Sequence, residues 1–135
     1  KWTYSDPLEV IPSFDFTVAK AAFWYNKDIN NWESHVDDNF YADLAAKRLI
    51  YTSPVRNEAA GGSLLRVLKF YQRGYRIPLD SLGAVISRLM QAVDFSMIDV
   101  KNEEKLARVI TGLLIEVDPN LDLTAFCAAN IKDSE

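Results

Sequence analysis

Between Leu82 and Val117 the apolar residues recur at three- and four-residue steps in two separate runs. The first is Leu82, Val85, Ile86, Leu89, Met90 and Val93, and the second is Leu106, Val109, Ile110, Leu113, Leu114 and Val117. A strand needs apolar residues at every second position, whereas this spacing puts each set on one side of a 3.6-residue turn, so the runs predict two amphipathic helices. Asp80 is placed to cap the first, and Asn102 or Asp99 the second. On the second helix Ile115 points away from the apolar stripe, which predicts a central helix buried on both faces or, as the alternative, a second contact surface at Ile115.

The same pattern read backwards along the chain extends the helical expectation. From Trp32, the residues Trp32, Val36, Phe40 and Leu44 recur every four positions, joined by Tyr41, Ala45 and Leu49, which predicts a long helix to about Tyr51 with Glu33, Asp37, Asp38, Asp43, Lys47 and Arg48 on its wet side. A helix from Phe16 to Lys27 precedes it, capped by Asp15 or Thr17, with Phe16, Ala19 and Phe23 on one face and a loop at Asp28–Asn31. Ser53-Pro54 opens a new turn or helix, Gly61-Gly62-Ser63 either interrupts it or starts the basic helix afresh, and Gly74 stops that helix. After Asp118-Pro119-Asn120 a last short helix is expected, capped by Asp122 and carrying Leu123, Phe126, Cys127 and Ile131.

These elements predict an all-α fold, a single-domain bundle of five or six helices over residues 14–135. Residues 1–13 carry two prolines and no helical period, so they read as an extended N-terminal arm whose Trp2, Tyr4, Leu8 and Ile11 pack on the body or on a neighbour in a homo-oligomer. At 135 residues and 49% hydrophobic, the chain can bury a core without disulfides or metal. Ten of the sixteen aromatic residues fall within residues 1–41, so the bulky part of that core is expected from the N-terminal third. The chain opens on Lys1 rather than methionine, as a processed product or a piece of a longer protein does.

Charge narrows the functional classes. The chain carries a net charge of −4, yet its sign changes along the sequence: five basic and eight acidic residues give −3 over 1–53, five and one give +4 over 54–78, and five and ten give −5 over 79–135. On a helix Arg66, Lys69 and Arg73 fall within about 60° of one another, opposite Leu64, Val67, Leu68 and Tyr71, with Arg76 just beyond Gly74. This patch, with Phe70 and Tyr75 as aromatic companions, is the candidate binding surface. Cations around an aromatic anchor, for which Phe70 is the first choice, fit an acidic protein partner. The same cations with Phe70 or Tyr75 as a stacking plate fit a nucleic acid or other polyanion, although dedicated nucleic-acid domains are basic overall. A helix-turn-helix fits poorly, because the connection from Gly74 to Asp80 exceeds the usual turn and contains Pro78.

Catalytic and cofactor signals are absent from the sequence. His35, the one histidine, has Asp38 at i+3, and two ligands do not make a zinc site. No phosphate-binding loop, dinucleotide glycine pattern or nucleophile elbow occurs. No cofactor, metal or catalytic residue is therefore expected, and an enzyme would need a pocket bringing His35 to distant acidic side chains. The single cysteine, Cys127, excludes an intrachain disulfide, and no Asn-x-Ser/Thr acceptor is present, so the cytoplasm is the expected compartment. No apolar run approaches the roughly 20 residues of a membrane helix, so no membrane partner is expected. A non-enzymatic helical interaction module is the function these observations favour, as an adaptor, inhibitor or assembly subunit.

Overall fold

A computed structural model describes residues 3–54 and 61–117. Trp2, Glu58, Cys127 and the expected helix from Leu123 to Ile131 lie outside the described residues. The chain divides into two compact units, Lys1–Ala92 and Val93–Glu135. Among the described residues no helix is long and apolar enough to cross a membrane.

The fold is mixed rather than all-α. Residues Ala21–Asn26 (β1) and Asn31–Val36 (β2) form an antiparallel hairpin where the spacing had predicted parts of two helices. The physical reason lies in the spacing itself: Trp32, Val36, Phe40 and Leu44 are four apart, a step that fits a helical turn and also returns to the same side of a strand after two pleats. Residue type then decides. The run Phe23-Trp24-Tyr25 suits a pleated surface better than a helix, and Asn30, with φ of 51°, takes the left-handed conformation that the turn at Lys27–Asn30 requires. Of the long helix predicted to Tyr51 only Phe40–Ala46 (α1) remains, ended by Lys47 at φ 50°.

Before the hairpin, Pro7–Ser13 winds as 3-10 helix in place of an extended arm, with Asp6 accepting the Leu8 N–H and with Ile11 and Ser13 buried. Phe16 sits in a single antiparallel bridge to Tyr51, followed by a 3-10 turn at Thr17–Ala19. The segment after α1 is extended and doubly pinned. Its Ile50 carbonyl accepts from Thr17 N–H at 3.1 Å, and Leu49 N–H donates to the Arg76 carbonyl at 2.8 Å.

Three helices match the predicted positions closely. Gly62–Gln72 (α2) stops before Gly74, whose φ of 86° favours glycine. Leu79–Gln91 (α3) follows, with Pro78 at its cap position and Asp80 in its first turn rather than capping it. In the second unit, Glu103–Val117 (α4) is capped by Asn102, whose Oδ1 accepts the Lys105 N–H at 3.1 Å. Leu106, Val109, Ile110 and Leu113 form its half-buried stripe, and Ile115 is exposed, so double-sided burial is not seen. Ahead of α4, Asp94 accepts the Ser96 hydroxyl and N–H, and those two donors hold its carboxyl below the usual aspartate range.

The core of the first unit gathers Phe16, Val18, Leu49, Val67 and Val85, with Tyr51, Leu64, Phe70, Tyr75 and Ile77 packed around it. Phe16 is the hub. It meets the Tyr51 ring edge-on at 5.8 Å and the Phe70 ring at 6.4 Å, tying the N-terminal segment to α2 through aromatic contact.

Two buried carboxylates brace this core. Asp15, expected as a helix cap, instead takes the Ser63 hydroxyl at 2.7 Å and Arg66 Nη1 at 2.5 Å on one oxygen. Asp43, expected on a wet helix face, accepts Thr17 Oγ1 at 2.6 Å and the Arg48 guanidinium at 2.9 and 2.7 Å. Each pairs a carboxylate with a hydroxyl and an arginine. Buried charge is tolerable only when compensated in this manner.

Candidate functional site

The basic patch takes its geometry from how α2 rolls against the core. With Phe70 turned toward Phe16 and Arg66 turned toward Asp15, the inward side of the helix is Ser63, Leu65 and Val67, with Leu64, Arg66 and Phe70 half-buried beside them. The outward side is Leu68, Lys69, Tyr71, Gln72 and Arg73. Leu68 and Tyr71 had been expected inside. One turn apart on a helix, they form an exposed apolar pair.

The predicted site residues therefore separate into two groups. Arg66 is held by Asp15, and Phe70 and Tyr75 are half-buried core aromatics whose rings meet at 5.0 Å. Lys69, Arg73 and Arg76 remain on the exposed surface. Arg73 lies over the Phe70 ring at 5.8 Å, and Arg76 lies over the Tyr71 ring at 4.7 Å while donating to the Tyr75 carbonyl at 3.2 Å. Cation–π contact of this kind orients a guanidinium without neutralising it.

Lys47 joins the patch, a residue that sequence spacing had placed on a distant acidic helix. The fold brings it in by a parallel bridge between Arg48 and Arg76, in which Arg76 N–H donates to the Lys47 carbonyl at 2.9 Å. Its ammonium then lies over Gly74, 3.6 Å from where a β-carbon would stand. Lys47-Arg48 as adjacent cations was the available signal, but their destination depends on a long-range pairing. Arg48 itself is neutralised by Asp43.

Among the described residues no carboxylate pairs with Lys47, Lys69, Arg73 or Arg76. The result is an apolar pair, Leu68 and Tyr71, bordered by four cations.

Elsewhere in the same unit Tyr51, Ser53, Ala84, Ser87, Arg88 and Gln91 line an open cavity of about 300 Å³. Among the described residues its lining holds two serines and neither histidine nor carboxylate. His35 is exposed on β2, and among the described residues no three metal-ligating side chains converge. No protein-family model, curated protein or solved structure matches this chain.

Proposed function

We propose that this chain is a non-enzymatic protein-interaction module that docks an acidic protein surface through the outer face of α2 and the segment following it. The observation that carries this reading is the set of four exposed cations, Lys47, Lys69, Arg73 and Arg76, standing without a carboxylate partner among the described residues around Leu68 and Tyr71. Tyr71 replaces Phe70 as the anchor, because Phe70 is spent on the core. The cations steer encounter and penalise basic partners, and the apolar pair supplies area that leaves water on contact. Its one cysteine favours a reducing, cytoplasmic setting.

A nucleic acid or other polyanion would use the same cations. The packing of Phe70 and Tyr75 argues against the stacking form of that reading, since both rings are half-buried and engaged in aromatic contacts of the core.

Affinity capture from the source cell on the immobilised chain tests the proposal, with a Lys69→Glu, Arg73→Glu, Arg76→Glu variant and a Tyr71→Ala variant alongside. Wild type is expected to retain a protein that the triple variant loses and that Tyr71→Ala retains about tenfold less well. The reading fails if the same proteins bind wild type and triple variant equally.

A further inference from the structure

The hairpin carries a second surface, independent of α2. Asp37 N–H donates to the Lys20 carbonyl at 2.9 Å, which sets the phase of the ladder. Pairs 22/35, 24/33 and 26/31 are then hydrogen-bonded ones, and Ala21/Val36, Phe23/Ser34 and Tyr25/Trp32 are the pairs whose backbone groups point away from the partner strand. β1 is in contact with the 3-10 helix of residues 7–13. On β2 the Trp32 N–H is taken by the Asn31 side chain at 2.8 Å, while among the described residues Ser34 and Val36 have no outward backbone partner.

The face bearing these residues is aromatic and wet. Trp32 packs against Tyr25 at 5.6 Å and against Phe23 at 5.7 Å, yet Phe23 is 76% and Trp32 62% exposed. Around the hairpin stand Asp28, Glu33, Asp37 and Asp38 against the exposed bases Lys27 and His35. Among the described residues none of the four carboxylates is in an ion pair.

We infer that the outer edge of β2 is a docking site for an extended, Lys/Arg-bearing peptide segment of a partner protein, added as a third strand. Backbone groups of Ser34 and Val36 bond to the incoming strand, and every second side chain of that strand lies beside Trp32 and Phe23. Side chains of the incoming strand alternate in the same way, so cationic ones on the Trp32 side gain the aromatic faces and those on the opposite side lie beside Glu33. A second copy of this chain is the disfavoured occupant, because β2 against β2 would bring Glu33, Asp37 and Asp38 toward their own counterparts. Charged edges of this kind prevent self-pairing.

The test uses a fluorescein-labelled alternating Arg-Thr octapeptide, with a Glu-Thr octapeptide and an Arg-Thr octapeptide methylated at every backbone nitrogen as controls, read by anisotropy at physiological salt. Backbone amide exchange of Ser34 and Val36 is followed with and without the Arg-Thr peptide. The Arg-Thr peptide is expected to bind, to weaken about tenfold on Trp32→Ala and on Asp37→Lys with Asp38→Lys, and to slow exchange at both amides. Ser34→Pro is expected to abolish binding while leaving the hairpin intact, since the lost N–H points outward and proline is tolerated at such an edge position. Circular dichroism and retained aromatic ring-current shifts check the hairpin in each variant. Equal binding of the backbone-methylated peptide, binding of the Glu-Thr peptide, or unprotected Ser34 and Val36 amides would overturn the inference. So would a dimer in light scattering that depends on Trp32.

Discussion

Phe16→Ala is expected to destabilise the first unit by about 3–5 kcal/mol, whereas Phe23→Ala is expected to fall within about 0.5 kcal/mol of wild type. Phe16 is fully buried, and truncation would leave Tyr51 and Phe70 facing a void that neither can fill without leaving its own packing. Phe23 is mostly in water, and its contact with Trp32 is a surface one. Against a typical domain stability of about 5–15 kcal/mol, the first loss removes a large fraction and the second almost none. Urea unfolding followed by tryptophan fluorescence and circular dichroism measures both. The comparison also discriminates between architectures: a helix from Phe16 to Lys27 would put both rings on one buried face and make the two losses similar. Equal losses would contradict the hairpin.

Asp43→Ala is expected to cost about 2–4 kcal/mol, the second-largest effect. It removes the acceptor that joins α1 to the 3-10 turn at Thr17 and strands the buried Thr17 hydroxyl, which has no water to turn to. Arg48 is about half-exposed and can return to solvent, so its share of the loss is screened and the hydroxyl dominates. Asp43→Asn keeps the shape and one carbonyl oxygen for Thr17, and is expected to cost less than half as much. A double-mutant cycle with Arg48→Ala isolates the ion pair. An Asp43→Ala loss below about 0.5 kcal/mol would mean that this carboxylate is an ordinary surface acid, as its place on the wet side of the predicted helix had implied.

What was legible in the sequence was the set of elements whose periodicity admits one interpretation. The three–four spacing of α3 and α4 and the glycine after α2 each specify helix or its end without reference to the rest of the chain. The hairpin was hidden because a step of four satisfies both periods. The dipeptide Asn30-Asn31 behind the Phe23-Trp24-Tyr25 run was the cue that favoured strands. The roles of Asp15 and Asp43 were hidden for a different reason. Their hydroxyl partners stand 48 residues later and 26 residues earlier in the chain, so a cap and a bound buried carboxylate look alike locally.

The candidate site was legible as charge but not as orientation. Composition located the cations of α2, whereas which of them are spent inside depends on the roll of the helix. That roll is set by Phe70 against Phe16 and by Arg66 against Asp15, two long-range contacts that exchange Leu68 and Tyr71 for Phe70 on the inner side. Lys47 reaches the patch only through the bridge to Arg76.

The central claim, that the α2 surface selects a carboxylate-bearing protein rather than phosphate, is tested most directly by fluorescence anisotropy. Labelled single-stranded and duplex oligonucleotides and a labelled Glu-rich peptide are titrated with wild type and with the Lys69→Glu, Arg73→Glu, Arg76→Glu variant, at low and at physiological salt. The Glu-rich peptide is expected to bind wild type and not the variant, while oligonucleotide binding at low salt disappears at physiological salt because few phosphates are engaged. Oligonucleotide binding that persists at physiological salt and is lost in the variant, with no binding of the Glu-rich peptide, would contradict the claim and make the patch a polyanion site.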